Sequence, residues 1–312
     1  MGVLVDGKWL DQRDDTKSTG GKFERKETSF RDFIGSDKFP AEKNRYHLYI
    51  SHACPWAHRT TIFRKLKGLE DIIGLTVVNA FMGQNGWELN EDPINGKSTL
   101  HEIYTLADPN YTGRVSVPVL WDKKERSIVN NESAEIIRMF NTAFDSMTSN
   151  TNDYYPEELR QQIDETNELI YSNINNGVYK AGFATKQSVY EEEVAKLFDA
   201  LDVIEQRLDT QRYLIGNTLN EADWRLFTTL LRFDPVYVGH FKCNLRRIAD
   251  YPNLSNYVRD IYQTGNVKQT VNMEHIKAHY YTSHATINPT GIVPLGPTIN
   301  FESAHDRDRF GA

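Results

Sequence analysis

The sequence predicts an α/β domain followed by an all-helical domain. The chain has 312 residues, about twice the usual size of a single domain. Its first half alternates β-rich and helical segments, and from about residue 156 the pattern is helical only. With 39% hydrophobic and 25% charged residues, the composition is that of an ordinary globular protein. These observations exclude a wholly disordered, collagenous or coiled-coil chain.

In the first half of the chain, the order of the predicted strands and helices indicates a fold. Residues 1–44 are polar with isolated aromatic side chains, and we expect an extended arm on the surface. The strands and helices that follow are expected at 46–51 (strand), 56–69 (helix), 75–80 (strand), 117–122 and 127–130 (a hairpin) and 132–144 (helix). A βαβ unit followed by ββα is the thioredoxin-like arrangement, which we assign to residues 45–145. The long connection from residue 81 to 114 is of a length that favours a functional role.

The second half begins after a polar linker, residues 146–155. Its helices are expected at 156–176, 187–208, 220–232 and 254–263. Asn220 and Asp223 predict a capping box at the start of the third of these helices. We expect a helical domain over residues 156–284 and an extended tail over 285–312.

Charge and cysteine content restrict the partners and the compartment. The 36 basic residues are scattered among 43 acidic ones, for a net charge of −7, which argues against nucleic acid or a membrane as partner and favours a small molecule. No apolar stretch approaches the ~18 residues of a membrane span, and no secretion signal is apparent. The two cysteines, Cys54 and Cys243, cannot form a disulfide framework, so we expect a reducing cytoplasm. No metal is expected.

Cys54 is the candidate nucleophile. It lies between a predicted strand and a helix that begins at Pro55, and a helix N-terminus stabilises a thiolate. We therefore expect a pKa below the value of about 8.5 for an ordinary thiol. Because Ala57 occupies the position of the second cysteine in a C-x-x-C motif, the resolving thiol must come from solution, and glutathione is the obvious candidate. Cys243 is expected to be structural.

Several segments carry a resemblance to one family. They are Ser51-His52-Ala53-Cys54-Pro55-Trp56 and its continuation to residue 59, with 85–87, 113–122, 131–137, 176–184, 232–237 and 275–281. Together they resemble the xi-class glutathione transferases, the glutathionyl-hydroquinone reductases, over roughly residues 5 to 300. The resemblance implies the glutathione transferase fold and a homodimer.

Five residues are candidates for binding glutathione as a co-substrate. The backbone of Val117, before the expected cis-proline, can pair with the cysteinyl part of the tripeptide. Glu132 and Ser133 begin a predicted helix and suit the γ-glutamyl ammonium and carboxylate. Arg114 offers a bidentate partner for a carboxylate, and Trp87 a ring that closes over the ligand.

The resemblance implies that Tyr179, Tyr237 and Tyr280 bind the acceptor, which is the hydroquinone part of the substrate. Their phenols would stack on the quinol ring and donate hydrogen bonds to it. It implies the reduction of glutathionyl-hydroquinones through a mixed disulfide on Cys54 that a second glutathione resolves. Two alternatives remain open: an omega-like thiol transferase or dehydroascorbate reductase using the same cysteine, and a non-catalytic binding protein with the glutathione transferase fold.

Overall fold

The structure is a computed structural model, and it describes residues 2–11, 16 and 18–311. The chain forms two compact units. The first comprises Met1–Asp14, Glu27–Asn152 and Thr270–Ala285, and the second comprises Asp15–Lys26, Asp153–Gln269 and Thr286–Ala312. In the part of the chain that is described, no helix is long and apolar enough to cross a membrane.

The first unit is built on a four-stranded mixed sheet. Its strands and helices, numbered along the chain, are β1 (Val3–Val5), β2 (Lys8–Leu10), β3 (Tyr46–Ile50), α1 (Pro55–Leu66), β4 (Gly74–Val77), α2 (Leu100–Ala107), β5 (Gly113–Arg114), β6 (Val119–Asp122), β7 (Ser127–Asn130) and α3 (Ser133–Thr142). The order in the sheet is β4-β3-β6-β7, with β3 and β4 parallel and the other neighbours antiparallel. All five residues of β3 are buried, so the strand that leads to Cys54 lies in the core. The predicted βαβ and ββα order is confirmed.

The N-terminal segment differs from the predicted surface arm. Strands β1 and β2 form a hairpin that pairs with β5 in a second, three-stranded sheet. Asp6 and Gly7 occupy the turn with φ of 48° and 73°, a conformation that an Asp-Gly pair adopts readily. Leu4 is fully buried. The polar composition of the segment concealed this short hairpin.

Helix α2 lies in the region that the sequence presented as a long connection. Thr99 and Glu102 form a capping box at its start, and Leu100, Ile103 and Tyr104 are buried along one face. The eight-residue helix is too short for its periodicity to stand out.

The second unit is helical. Its helices are α4 (Arg160–Ile170), α5 (Gly177–Gly182), α6 (Gln187–Arg207), α7 (Glu221–Arg232) and α8 (Pro252–Gln263). The predicted capping box of Asn220 and Asp223 is confirmed at the start of α7, every residue of which is buried. Burial raises the pKa of Asp223 to about 6, although two backbone N–H groups and the Tyr257 hydroxyl donate to its carboxylate.

Two five-residue π-helical segments, Tyr171–Asn175 and Phe233–Tyr237, continue α4 and α7. The ninth helix along the described chain, α9 (Met273–Ser283), packs with the first unit by its contacts. The predicted helical domain, residues 156–284, includes α9 and remains a proposal. Residues beyond 285 run without regular structure until a short 3-10 turn at Arg307–Phe310.

Candidate active site

Cys54 is the N-cap of α1. Its Sγ accepts a hydrogen bond from the Ala57 N–H at 3.5 Å and lies 3.6 Å from the Val117 carbonyl oxygen. Pro55 takes the first helical position, where a missing N–H costs nothing. The side chain is partly exposed. A sulfur at this position faces the positive end of the helix, which favours negative charge on it.

The loop before Cys54 is braced by a serine and a histidine. The Cys54 N–H donates to the Ser51 carbonyl at 3.2 Å, and the Ala53 N–H donates to the Ser51 hydroxyl at 3.2 Å. That hydroxyl also lies 3.2 Å from Nε2 of His275 on α9. The three contacts fix the backbone that carries the cysteine.

Val117 brings its backbone to the same place as the cysteine. The Val117–Pro118 peptide bond is cis, as expected from the sequence. The Val117 side chain is buried, and its carbonyl oxygen lies within contact distance of the sulfur.

Trp87 lies against helix α9. Its ring stacks on His279 with centroids 4.8 Å apart, and His279 in turn contacts Tyr280 edge-on at 5.4 Å. All three side chains are less than a tenth exposed. Nδ1 of His279 lies 2.8 Å from the Ala80 carbonyl. The structure therefore places Trp87 against the helix that carries Tyr280.

Glu132 and Ser133 begin α3. The Glu132 carboxylate accepts the Ala134 N–H at 3.1 Å and the Thr28 hydroxyl at 3.4 Å, while Ser133 is buried beside it. Arg114 is half-buried in β5, paired with Val3. Its carbonyl accepts the Tyr111 hydroxyl at 3.2 Å. All of these residues belong to the first unit, as Cys54 does.

Tyr179 and Tyr237 lie together in the second unit, with ring centroids 6.1 Å apart. They form part of an aromatic cluster with Phe23, Phe183 and Phe241. Tyr179 is half-buried, whereas Tyr237 is fully buried. The Arg25 guanidinium lies 5.2 Å from the Tyr179 ring centroid.

Cys243 lacks both the helix-capping position and the partial exposure of the first cysteine. It is completely buried, and burial raises the pKa of its thiol. Its sulfur contacts the Phe241 carbonyl at 3.8 Å. No group of three His, Cys, Asp or Glu side chains that would hold a metal occurs among the residues whose positions are described.

Comparison with known proteins adds to this geometry. The family models for the N-terminal and C-terminal domains of glutathione S-transferase match residues 53–143 and 187–260. The chain is 56% identical to glutathionyl-hydroquinone reductase YqjG of Escherichia coli strain K12, with 100% of both proteins covered. It is 54% identical to glutathionyl-hydroquinone reductase PcpF of Sphingobium chlorophenolicum, over 95% of this chain and 96% of that protein.

The chain belongs to the xi-class glutathione transferases, the glutathionyl-hydroquinone reductase family. The glutathione-bound structure of YqjG superposes with a TM-score of 0.90 at 52% identity, covering 98% of this chain and 99% of that one. The expected glutathione transferase fold is confirmed.

In this xi-class transferase, sequence reasoning did not assign a role to Ser51, His275 or His279. The spacing of the two histidines, four residues apart on a helix, was the available signal. It could not show that one faces the cysteine loop and the other faces Trp87, because those partners are far away in the sequence.

Proposed function

We propose that this protein reduces glutathionyl-hydroquinones to hydroquinones, with glutathione as the reductant and Cys54 as the nucleophile. The placement of Cys54 as the N-cap of α1 carries the proposal. The names and full-length similarity of the two curated relatives support the choice of substrate.

In the first half-reaction, the Cys54 thiolate attacks the sulfur of the conjugate. A sulfur–sulfur bond forms and the bond from that sulfur to the aromatic carbon breaks, with its electron pair staying on the ring. The ring carbon takes a proton and the hydroquinone leaves. Cys54 is left as a mixed disulfide with glutathione.

In the second half-reaction, the thiolate of a free glutathione attacks the glutathionyl sulfur of the mixed disulfide. Oxidised glutathione departs and the Cys54 thiolate is regenerated. One free glutathione is consumed for each conjugate, and the two electrons that reduce the conjugate come from the two glutathionyl sulfurs, which leave joined as the glutathione disulfide. The enzyme needs no second cysteine, which agrees with Ala57 in the fourth position of the motif.

We propose that the first unit binds the glutathione portion. Backbone groups of Val117 pair with its cysteinyl segment, next to the sulfur of Cys54. The start of α3, with Glu132 and Ser133, suits the γ-glutamyl carboxylate and ammonium. Arg114 binds the other carboxylate, and Trp87, held against His279, forms a wall of the site.

The phenols of Tyr179, Tyr237 and Tyr280 are proposed to donate hydrogen bonds to the hydroquinone oxygens as charge develops on the ring. Tyr179 is the most exposed of the three and the best placed to touch a ligand. Its ring is packed on several sides by other aromatic rings, which restricts its orientation.

A turnover assay tests the proposal. The protein is incubated with glutathionyl-menadiol and glutathione, and products are followed by mass spectrometry. We expect menadiol and glutathione disulfide in equal amounts. If the protein instead reduces only hydroxyethyl disulfide or dehydroascorbate, it is an omega-like thiol transferase, and if it turns over none of the three it is a binding protein.

The family resemblance and the cysteine content support two further parts of the proposal, a homodimer and a cytoplasmic location. Light scattering during size-exclusion chromatography tests the first, since a monomer mass at micromolar concentration would contradict it. Fractionation of the source cells tests the second.

A further inference from the structure

The second unit contains a cavity of about 240 Å³, and none of the proposed catalytic residues is among the residues that line it. Helices α7 and α8 supply much of its wall, and the π-helical segment Phe233–Tyr237 and the turn Ile248–Asp250 supply more. Its apolar lining residues are Leu230, Leu231, Pro235, Ile248, Ala249, Val258, Ile299 and Phe301. A lining of this kind suits the body of a ring compound.

The C-terminal tail closes one side of the cavity with residues 298–303. Gln263 of α8 donates to the carbonyls of Phe301 and Ser303, both at 2.9 Å. Further along, the fully buried Arg307 donates to the Leu208 carbonyl at 2.8 Å. The tail is thus bound to the helical unit where it covers the cavity and again beyond that position.

Arg259 supplies a cation to the cavity. One of its terminal nitrogens donates to Asn256 Oδ1 at 2.7 Å, while its Nε is buried and has no hydrogen-bond partner. Within the described chain, no carboxylate forms an ion pair with this guanidinium. Because Nε is itself shielded, an anionic ligand in the cavity would pair with the terminal nitrogens of this guanidinium.

Asp234, the acidic residue of the lining, does not meet that need. Its carboxylate accepts the N–H groups of Ile248 at 2.6 Å and of Ala249 at 3.1 Å, so its oxygens are engaged by the backbone. The charge in the cavity that lacks a counterpart is therefore positive.

We propose that this cavity is a second binding site, which takes a small aromatic carboxylate with its ring among the apolar residues and its anionic group on Arg259. None of the residues proposed to act in the thiol chemistry lines this cavity, so the second site does not depend on the reaction proposed above.

Isothermal titration calorimetry of the full chain with 2-naphthoate tests the proposal. We expect one site per chain, and a loss of affinity of about ten- to a hundredfold in Arg259→Gln, the range for a hydrogen bond to a charged group. The neutral analogue 2-naphthalenemethanol is expected to bind the unmodified protein as weakly as naphthoate binds the variant. Arg160→Gln, on an exposed arginine of α4, is the matched control and should bind normally.

A second variant protects the test against misfolding. Ser255→Phe fills the cavity from a half-buried position on α8 and should abolish binding while the melting temperature stays close to that of the parent. The proposal is overturned if 2-naphthoate does not bind, or if Arg259→Gln and Ser255→Phe both bind it as the parent does. It is also overturned if saturating glutathione displaces 2-naphthoate while Arg259→Gln has no effect. The last result would place the ligand at the cysteine site instead.

Discussion

The two cysteines of this chain lie in opposite environments. Cys54 caps a helix, is partly exposed and receives a backbone N–H, whereas Cys243 is fully buried in a segment without regular structure. Burial raises the pKa of the Cys243 thiol and so disfavours its reactive form. The same chemical group therefore has the setting of the proposed nucleophile in one place and that of a small apolar side chain in the other.

Replacing the first cysteine should have the largest effect. Cys54→Ser keeps nearly the same shape but exchanges a thiol for a hydroxyl that does not ionise at neutral pH, so reductase turnover should fall by roughly three decades or more. Glutathione binding, measured by calorimetry, should persist. Full activity in this variant would place the nucleophile elsewhere.

The second largest effect is expected from changing the tyrosines that are proposed to bind the hydroquinone. Changing Tyr179, Tyr237 or Tyr280 to Phe keeps the ring and removes one donor, and each change should slow the first half-reaction by about one to two decades. Reduction of the preformed mixed disulfide should keep its rate. Stopped-flow measurement separates the two steps, with Tyr155→Phe on an exposed phenol as the control. If all three variants release hydroquinone normally, the acceptor site is misplaced and the omega-like activity becomes the better proposal.

A smaller effect is expected from replacing His275, whose contact with Ser51 supports the loop before Cys54. His275→Gln loses or weakens the contact with the Ser51 hydroxyl, which should lower the rate of Cys54 alkylation by iodoacetamide about three- to tenfold. Turnover should fall by the same factor while the melting temperature is kept, because the contact positions the loop. His305→Gln is the matched histidine control. Equal alkylation rates in parent and variant would leave His275 with a structural role only.

Replacing the second cysteine should have the smallest effect on turnover. Cys243→Ser is expected to change turnover by less than about twofold, since the buried thiol takes no part in the chemistry. The buried hydroxyl should lower the melting temperature by a few degrees. A large loss of turnover at an unchanged melting temperature would contradict the structural interpretation of this residue.

Features that depend on residues close together in the sequence could be predicted, and features that depend on distant residues could not. The hairpin of β6 and β7, the helix start at Cys54 and the Asn220 capping box depend on neighbouring residues, and the structure has all three. Helix α9 was not predicted as an element, because its polar and aromatic residues leave no clear apolar stripe. The π-helical segments have no comparable sequence rule.

In the candidate site, too, contacts between residues far apart in the sequence could not be predicted. Local sequence was enough to select Cys54, but His275 meets Ser51 across 224 positions of the chain. Trp87 was chosen as a ring that could close over the ligand and Tyr280 through the family resemblance, and only the structure showed that Trp87 stacks on His279, the neighbour of Tyr280. Contacts between distant segments depend on the packing of the whole unit, which no local pattern encodes.

A single-turnover experiment tests the role of Cys54 most directly. The protein is mixed with an excess of glutathionyl-menadiol in the absence of free glutathione, and the released menadiol and the mass of the protein are measured together. We predict one menadiol released per chain and one glutathionyl group added, located by peptide mapping on Cys54. Release that requires free glutathione, or a glutathionyl group on Cys243, would contradict the assignment.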